Sequence, residues 1–100
     1  MAGQASISTD ILARYAADAA CEVRGVRGLA DSHIPGRRAV RVAGEDGAVR
    51  VELHLAVDWG APIPALGRDV QQRVRAYLAQ MADVDPAAVD VVVDEVGPRP

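Results

Sequence analysis

Between Ser8 and Arg24 the apolar positions Leu12, Ala16, Ala19, Ala20 and Val23 recur at steps of three and four residues, with Asp10, Arg14, Asp18 and Glu22 on the opposite stripe. That spacing predicts an amphipathic helix. Ser8 suits its N-cap, Asp10 in the first turn complements the helix dipole, and Ile7 is placed to staple onto Leu12. Gly25 reads as the stop. Residues 25–37 contain Gly25, Gly28, Pro35 and Gly36, and predict a loop. From Val40 and Val42 the period changes to two. The Gly44-Glu45-Asp46-Gly47 tetrad then predicts a hairpin connection. In the strand that follows, Val49, Val51, Leu53, Leu55, Val57 and Trp59 face one way and Arg50, Glu52, His54, Ala56 and Asp58 the other, the pattern of a sheet with one buried and one wet face. Gly60 and Pro62 close it. A second helix is expected from Pro64 to about Met81, with Leu66, Val70, Val74, Tyr77, Leu78 and Met81 as its apolar face, broken by Asp85-Pro86. A last strand, Ala88 to Val96, directs Val89, Val91 and Val93 to one face and Val92 and Val96 to the other.

These elements predict an α+β fold in a single domain, 1–100. A small β-sheet, made of a hairpin plus a third strand, carries two α-helices packed on one face, in the order α-β-β-α-β. The crossover through the second helix is expected to be right-handed. The pattern leaves open which hairpin strand the last strand joins.

Composition sharpens this picture in three places. Half of the residues are hydrophobic but only 3% are aromatic, so the core is expected to be built from Ala, Val and Leu, and an aromatic ligand cage is disfavoured. The net charge of −3 argues against affinity that comes from neutralising many phosphates. The charge is unevenly spread. Six Arg (Arg24, Arg27, Arg37, Arg38, Arg41 and Arg50) face Asp31, Glu45 and Asp46 in the middle of the chain, whereas from Ala76 onward Asp83, Asp85, Asp90, Asp94 and Glu95 face only Arg99. Cys21 is the single cysteine, which rules out an intrachain disulfide and fits a reducing cytoplasm. Residues 1–6 lack the basic and apolar regions of a secretory signal, and no apolar run approaches the roughly 20 residues of a membrane span. Direct membrane insertion is therefore not expected.

Candidate chemistry is sparse. Cys21, on the boundary of the first helix, reads as a small half-buried packing residue with no His nearby in sequence. Glu52 and His54 share the wet strand face and, with Asp58, make a weak metal-ligand set; polar residues on any solvated sheet face look the same. His33 sits alone in the predicted loop. Gly25-Val26-Arg27-Gly28 matches the GxxG loop with which KH domains clamp a nucleic-acid backbone, so a KH-like RNA-binding module is the alternative function. The placement argues against it, because that loop joins two helices in KH domains and here it leads to a strand. No catalytic residue, cofactor or metal site is expected.

Several short motifs resemble the alkaline shock protein family, the envelope stress response family of Gram-positive bacteria. Ala19, Ala20, Glu22, Val23, Gly25 and Val26 resemble its Ala-Ala-x-Glu-Val-x-Gly-Val helix ending, and Trp59-Gly60 with Ile63-Pro64 is similar to its aromatic-Gly-x-x-Ile-Pro corner. Val70, Gln71 and Val74 match its Val-Gln-x-x-Val signature, and Val89, Val91, Val93 and Val96 close the match. Trp59 stands where Tyr is usual and Asp90 where Asn is common. The resemblance implies a non-enzymatic cytoplasmic stress-response protein that self-associates. It also implies peripheral attachment at the inner face of the membrane through a small membrane-anchor protein, and no nucleic-acid partner. For the contact itself, the charge asymmetry points to Arg37 and Arg38 in one copy meeting Asp90, Val92 and Asp94 in another. Such a contact is heterologous and gives rings or open arrays instead of closed dimers.

Overall fold

The computed structural model describes residues 7–30, 38–44 and 48–98. Along the chain run α1 (Thr9–Cys21), β1 (Val26–Leu29), β2 (Val40–Ala43), β3 (Arg50–Val57), α2 (Ile63–Ala82) and β4 (Ala88–Val96). The fold is α+β, with two helices on one face of a small sheet, as the periodicity predicts. It contains one strand more than the pattern shows.

The burial alternation that identifies β3 is fully realised: Val51, Leu53, Leu55 and Val57 are at most 1% exposed, while the residues between them face away. Because strand side chains alternate, burying one set also fixes the direction of the other. The buried set forms one core with Leu12, Ala16, Ala19 and Ala20 of α1 and Leu66, Val70, Val74 and Leu78 of α2. The alanine stripe has no bulk to hold α1 off its neighbours. The Tyr15 and Tyr77 rings meet edge to face at 5.7 Å, and Arg73 reaches Glu22 at 3.2 Å, so the two helices are joined at both apolar and charged positions.

β3 is the centre of the sheet. Both β1 and β2 pair with it antiparallel, end to end along one edge, and β4 pairs with it in parallel along the other. The junction of β1 and β2 falls at His54, whose backbone carbonyl accepts from Ala30 N–H at 2.9 Å and whose N–H donates to the Ala39 carbonyl at 2.7 Å. The last strand thus joins the second strand of the expected hairpin, the point the sequence left open. Two side chains of α2 hold its start. Gln71 Nε2 donates to the Val89 carbonyl at 3.0 Å, and Arg75 Nη1 donates to the Pro86 carbonyl at 2.6 Å.

Some expectations are corrected. β1 lies inside the segment read as a loop. Its pairing slips by one residue between Val26 and Gly28, and its four residues include one without a side chain and an exposed Leu29, too few apolar positions to show a period of two. The same fact disposes of a KH-type clamp: Gly25 takes φ +98 at the end of the helical region, and Val26, Arg27 and Gly28 run on as strand. A Cβ on Gly25 would lie 2.7 Å from Leu66 Cδ1, which gives that glycine a packing role in addition to its positive φ. β3 ends at Val57, and Trp59 is 52% exposed in the turn that follows. Met81 is 43% exposed although its spacing puts it in the apolar stripe. The expected hairpin connection falls at residues 44–47, of which 45–47 lie outside the described residues, as do His33 and Arg37.

Leu53 belongs to this core and has no exposed surface. Leu53→Ala is expected to lower unfolding stability by about 2 to 5 kcal/mol, whereas Met81→Ala should cost less than about 1 kcal/mol. Urea midpoints of the two variants against the parent check this.

Candidate functional site

With both helices packed on one side, the opposite face of the sheet is uncovered by any described helix. Its central row comes from β3 as Arg50, Glu52, His54 and Ala56. Arg41 of β2 lies opposite Glu52, and on β4 Asp90 lies opposite Glu52 and Val92 opposite His54. The β3–β4 register slips between Leu55 and Ala56, where Val93 is matched to Leu55 but Glu95 to Ala56. Asp94 is the extra residue of that bulge. The bulge turns its carboxylate back across the sheet onto His54.

The result is a three-residue cluster. His54 Nδ1 lies 2.6 Å from Asp94 Oδ2, and His54 Nε2 lies 2.9 Å from Glu52 Oε2. An ionised carboxylate can only accept, so two such partners require both ring nitrogens to carry protons, which is the imidazolium form. The His54 side chain is only 12% exposed, against 37% for Glu52 and 46% for Asp94. Its pKa is raised above the ordinary value of 6.5, through the hydrogen bond to Glu52 first, with the Asp94 hydrogen bond and the charges of both carboxylates adding to it and partial burial opposing.

The cluster differs from the weak metal-ligand set weighed from the sequence, since Asp94 takes the place given to Asp58. Both ring nitrogens are already bonded to carboxylates. Among the described residues no group of three or more His, Cys, Asp or Glu side chains is arranged to hold a metal ion. Cys21 is exposed, not half-buried as its position suggested, and its thiol is pushed up by desolvation and then by Asp18, away from the thiolate form a nucleophile needs.

Of the five residues expected at a partner contact, the structure gathers Asp90, Val92 and Asp94 on the uncovered face. Val92 is 37% exposed between the two acids. Arg38 is on the far side of β3, where it meets Asp10 of α1 at 3.3 Å in a pair that is 75% and 82% exposed. Arg37 lies outside the described residues. Arg38 therefore stands on the opposite edge of the sheet from Asp90 and Asp94. Sequence reasoning missed the link between His54 and Asp94, which are 40 positions apart and meet only through the parallel register. Next to the cluster, the small Gly28 and Ala56 leave a depression of about 340 Å³, rimmed by Arg27, Leu29, Glu95 and Val96.

Comparison with known proteins bears on the whole chain. The model of the alkaline shock protein family, of cell envelope-related function, matches residues 1–98. Spy1535, an uncharacterised protein of Streptococcus pyogenes serotype M6, is 27% identical over 110 residues, covering 98% of this chain and 85% of the relative. Among solved structures, a variant of MamM-CTD superposes with a TM-score of 0.59 at 15% identity, over 91% of this chain and all of that one. A MamM CTD in its manganese form gives 0.57 at 16% identity over 88% and 99%. At such identities the likeness is one of fold. No helix among the described residues is long and apolar enough to cross a membrane.

The raised pKa of His54 fixes a sign for the pH dependence of stability. A group with a higher pKa folded than unfolded stabilises most below its unfolded value, and that contribution is lost as pH rises through the folded one. The urea midpoint of the wild type is expected to fall between about pH 6 and about pH 9, and that of His54→Gln to change less over the same interval. Parallel pH profiles would show that the cluster contributes nothing.

Proposed function

The chain belongs to the alkaline shock protein family, of cell envelope-related function, and from that premise we propose that it is a non-enzymatic interaction module, self-associating and docked to a small membrane-anchor protein at the inner face of the membrane. The observation that carries this reading is the uncovered sheet face, on which Val92 stands exposed between Asp90 and Asp94. Side-chain catalysis needs a nucleophile or an acid–base pair aimed into a cleft, and the cluster on this face is a set of satisfied ion pairs on a shallow surface. Such a surface is suited to a broad contact.

Self-association is supported by the distribution of charge. The acidic residues of β4 and the basic residues Arg38 and Arg41 belong to opposite edges of one sheet, so the two sets meet edge to edge only between copies. Arg37 adds to the basic set in sequence. An exposed ion pair contributes about 0 to 1 kcal/mol. Most of the affinity must then come from the apolar part, Val92 with the depression over Ala56, while the charges orient the copies. Two different patches in contact give head-to-tail growth.

Sedimentation velocity tests the reading. The wild type is expected to form species larger than one chain at low ionic strength and to lose part of them at high salt. Val92→Glu, which sets a third carboxylate between Asp90 and Asp94, is expected to sediment as a monomer. A wild type that stays monomeric at every concentration and salt would refute self-association. Crosslinking in native membranes that recovered no small membrane protein would refute the anchor.

A further inference from the structure

The outer face is acidic, and one of its members changes charge near neutral pH. Every described charged group facing His54 can be named: Glu52 and Arg50 on its own strand, Asp90, Asp94 and Glu95 on β4, Arg41 on β2 and Arg27 on β1. The helices lie on the other side of the sheet. Within this set only the imidazole titrates between the carboxylates and the guanidinium groups.

We propose that His54 is a proton-operated gate on self-association, holding the Asp94 and Glu52 carboxylates inward while it is a cation and yielding Asp94 to the basic residues of a second copy when it is neutral. The proposal rests on the reading of the outer face as the contact between copies. Its basis is donor arithmetic. The imidazolium has two N–H groups and both are used, on Asp94 at 2.6 Å and on Glu52 at 2.9 Å. A neutral imidazole has one N–H and one lone pair, so one of the two carboxylates then faces a lone pair and loses its bond. Glu52 has Arg41 opposite it on the neighbouring strand, whereas Asp94 sits in the bulge between Val93 and Glu95. In the tautomer that keeps its proton on Nε2, Glu52 retains its bond and Asp94 is the carboxylate that turns outward, beside the exposed Val92.

The charge changes in the same direction. Glu52, His54, Asp90 and Asp94 together go from two net negative charges to three when the proton leaves, while Arg38 and Arg41 of an approaching copy keep theirs. The Glu52 and Asp94 carboxylates raise the His54 pKa above its ordinary value of 6.5, so the gate opens as pH rises.

The test is sedimentation velocity of the full chain at about pH 6 and about pH 9, at fixed low salt, for the wild type, His54→Gln and His33→Gln. The association constant of the wild type is expected to rise about fivefold across the interval, the scale of one exposed ion pair. His33→Gln should follow the wild type, and His54→Gln should lose the dependence. Equal association at both pH values, or a dependence that survives His54→Gln, overturns the gate and leaves self-association standing. A wild type that is monomeric throughout overturns both. An NMR titration of the His54 ring in the wild type guards against a variant that folds poorly: the ring must lose its proton over the range in which association rises, and a midpoint at or below the ordinary histidine value overturns the gate.

Discussion

The structure depends on a single strand being covered on one face and paired on both edges. β3 supplies the most deeply buried side chains of the sheet, and every other described strand hydrogen-bonds to it and to no other. Covering Val51, Leu53, Leu55 and Val57 with two helices satisfies the hydrophobic demand of the chain on one side. It leaves the other side without a described helix. The wet face is thus a consequence of the core, since the strand period does not allow a residue to change sides without shifting all its neighbours.

The same strand explains why β1 and β2 function as two pieces of one edge. A single long strand from Val26 to Ala43 would have more residues than β3 has partners. The edge is instead made of β1 and β2, and the backbone of His54 bonds to Ala30 after the first and to Ala39 before the second. On the opposite edge, β4 pairs with β3 over its whole length, at the expense of one extra residue. That residue is Asp94, and its placement over His54 is what turns a scattered set of polar side chains into a cluster.

Burial and charge then divide the labour between the faces. The helix side is made of small aliphatic residues whose close packing holds the fold, and Gln71 and Arg75 tie the second helix to the backbone at the start of β4. The open side carries Val92, a shallow depression and carboxylates held by one imidazole. The His54 cluster of this alkaline shock family member therefore lies on a sheet surface. The likeness to MamM-CTD, at 15% identity over the whole of that chain, shows that the same backbone arrangement is compatible with a largely different set of side chains.

The periodic elements were legible in the sequence because each is decided locally. Three- and four-residue spacing marked α1 and α2, alternation marked β3 and β4, and Ser8 does accept from Ile11 N–H at 3.2 Å as an N-cap should. The faces of β3 followed from the same pattern, as did the outward direction of Asp90 and Val92. What the sequence did not contain was anything that depends on register between distant segments. β1 is hidden because its four residues, one of them Gly28, carry too few apolar positions to show a period; Trp59 reads as core because the alternation continues past Val57, where the strand ends, and Met81 because its spacing extends the α2 stripe into a last turn where the side chain is exposed. The pairing of β4 with β3, and the slip at Leu55, belong to the packed sheet alone. Of the candidate site, the sequence determined that Glu52 and His54 lie on a wet face, whereas the partner of His54 was decided by tertiary structure: a parallel register across 40 positions joins Asp94 to it, and no local pattern encodes a contact made by two strands that a helix separates.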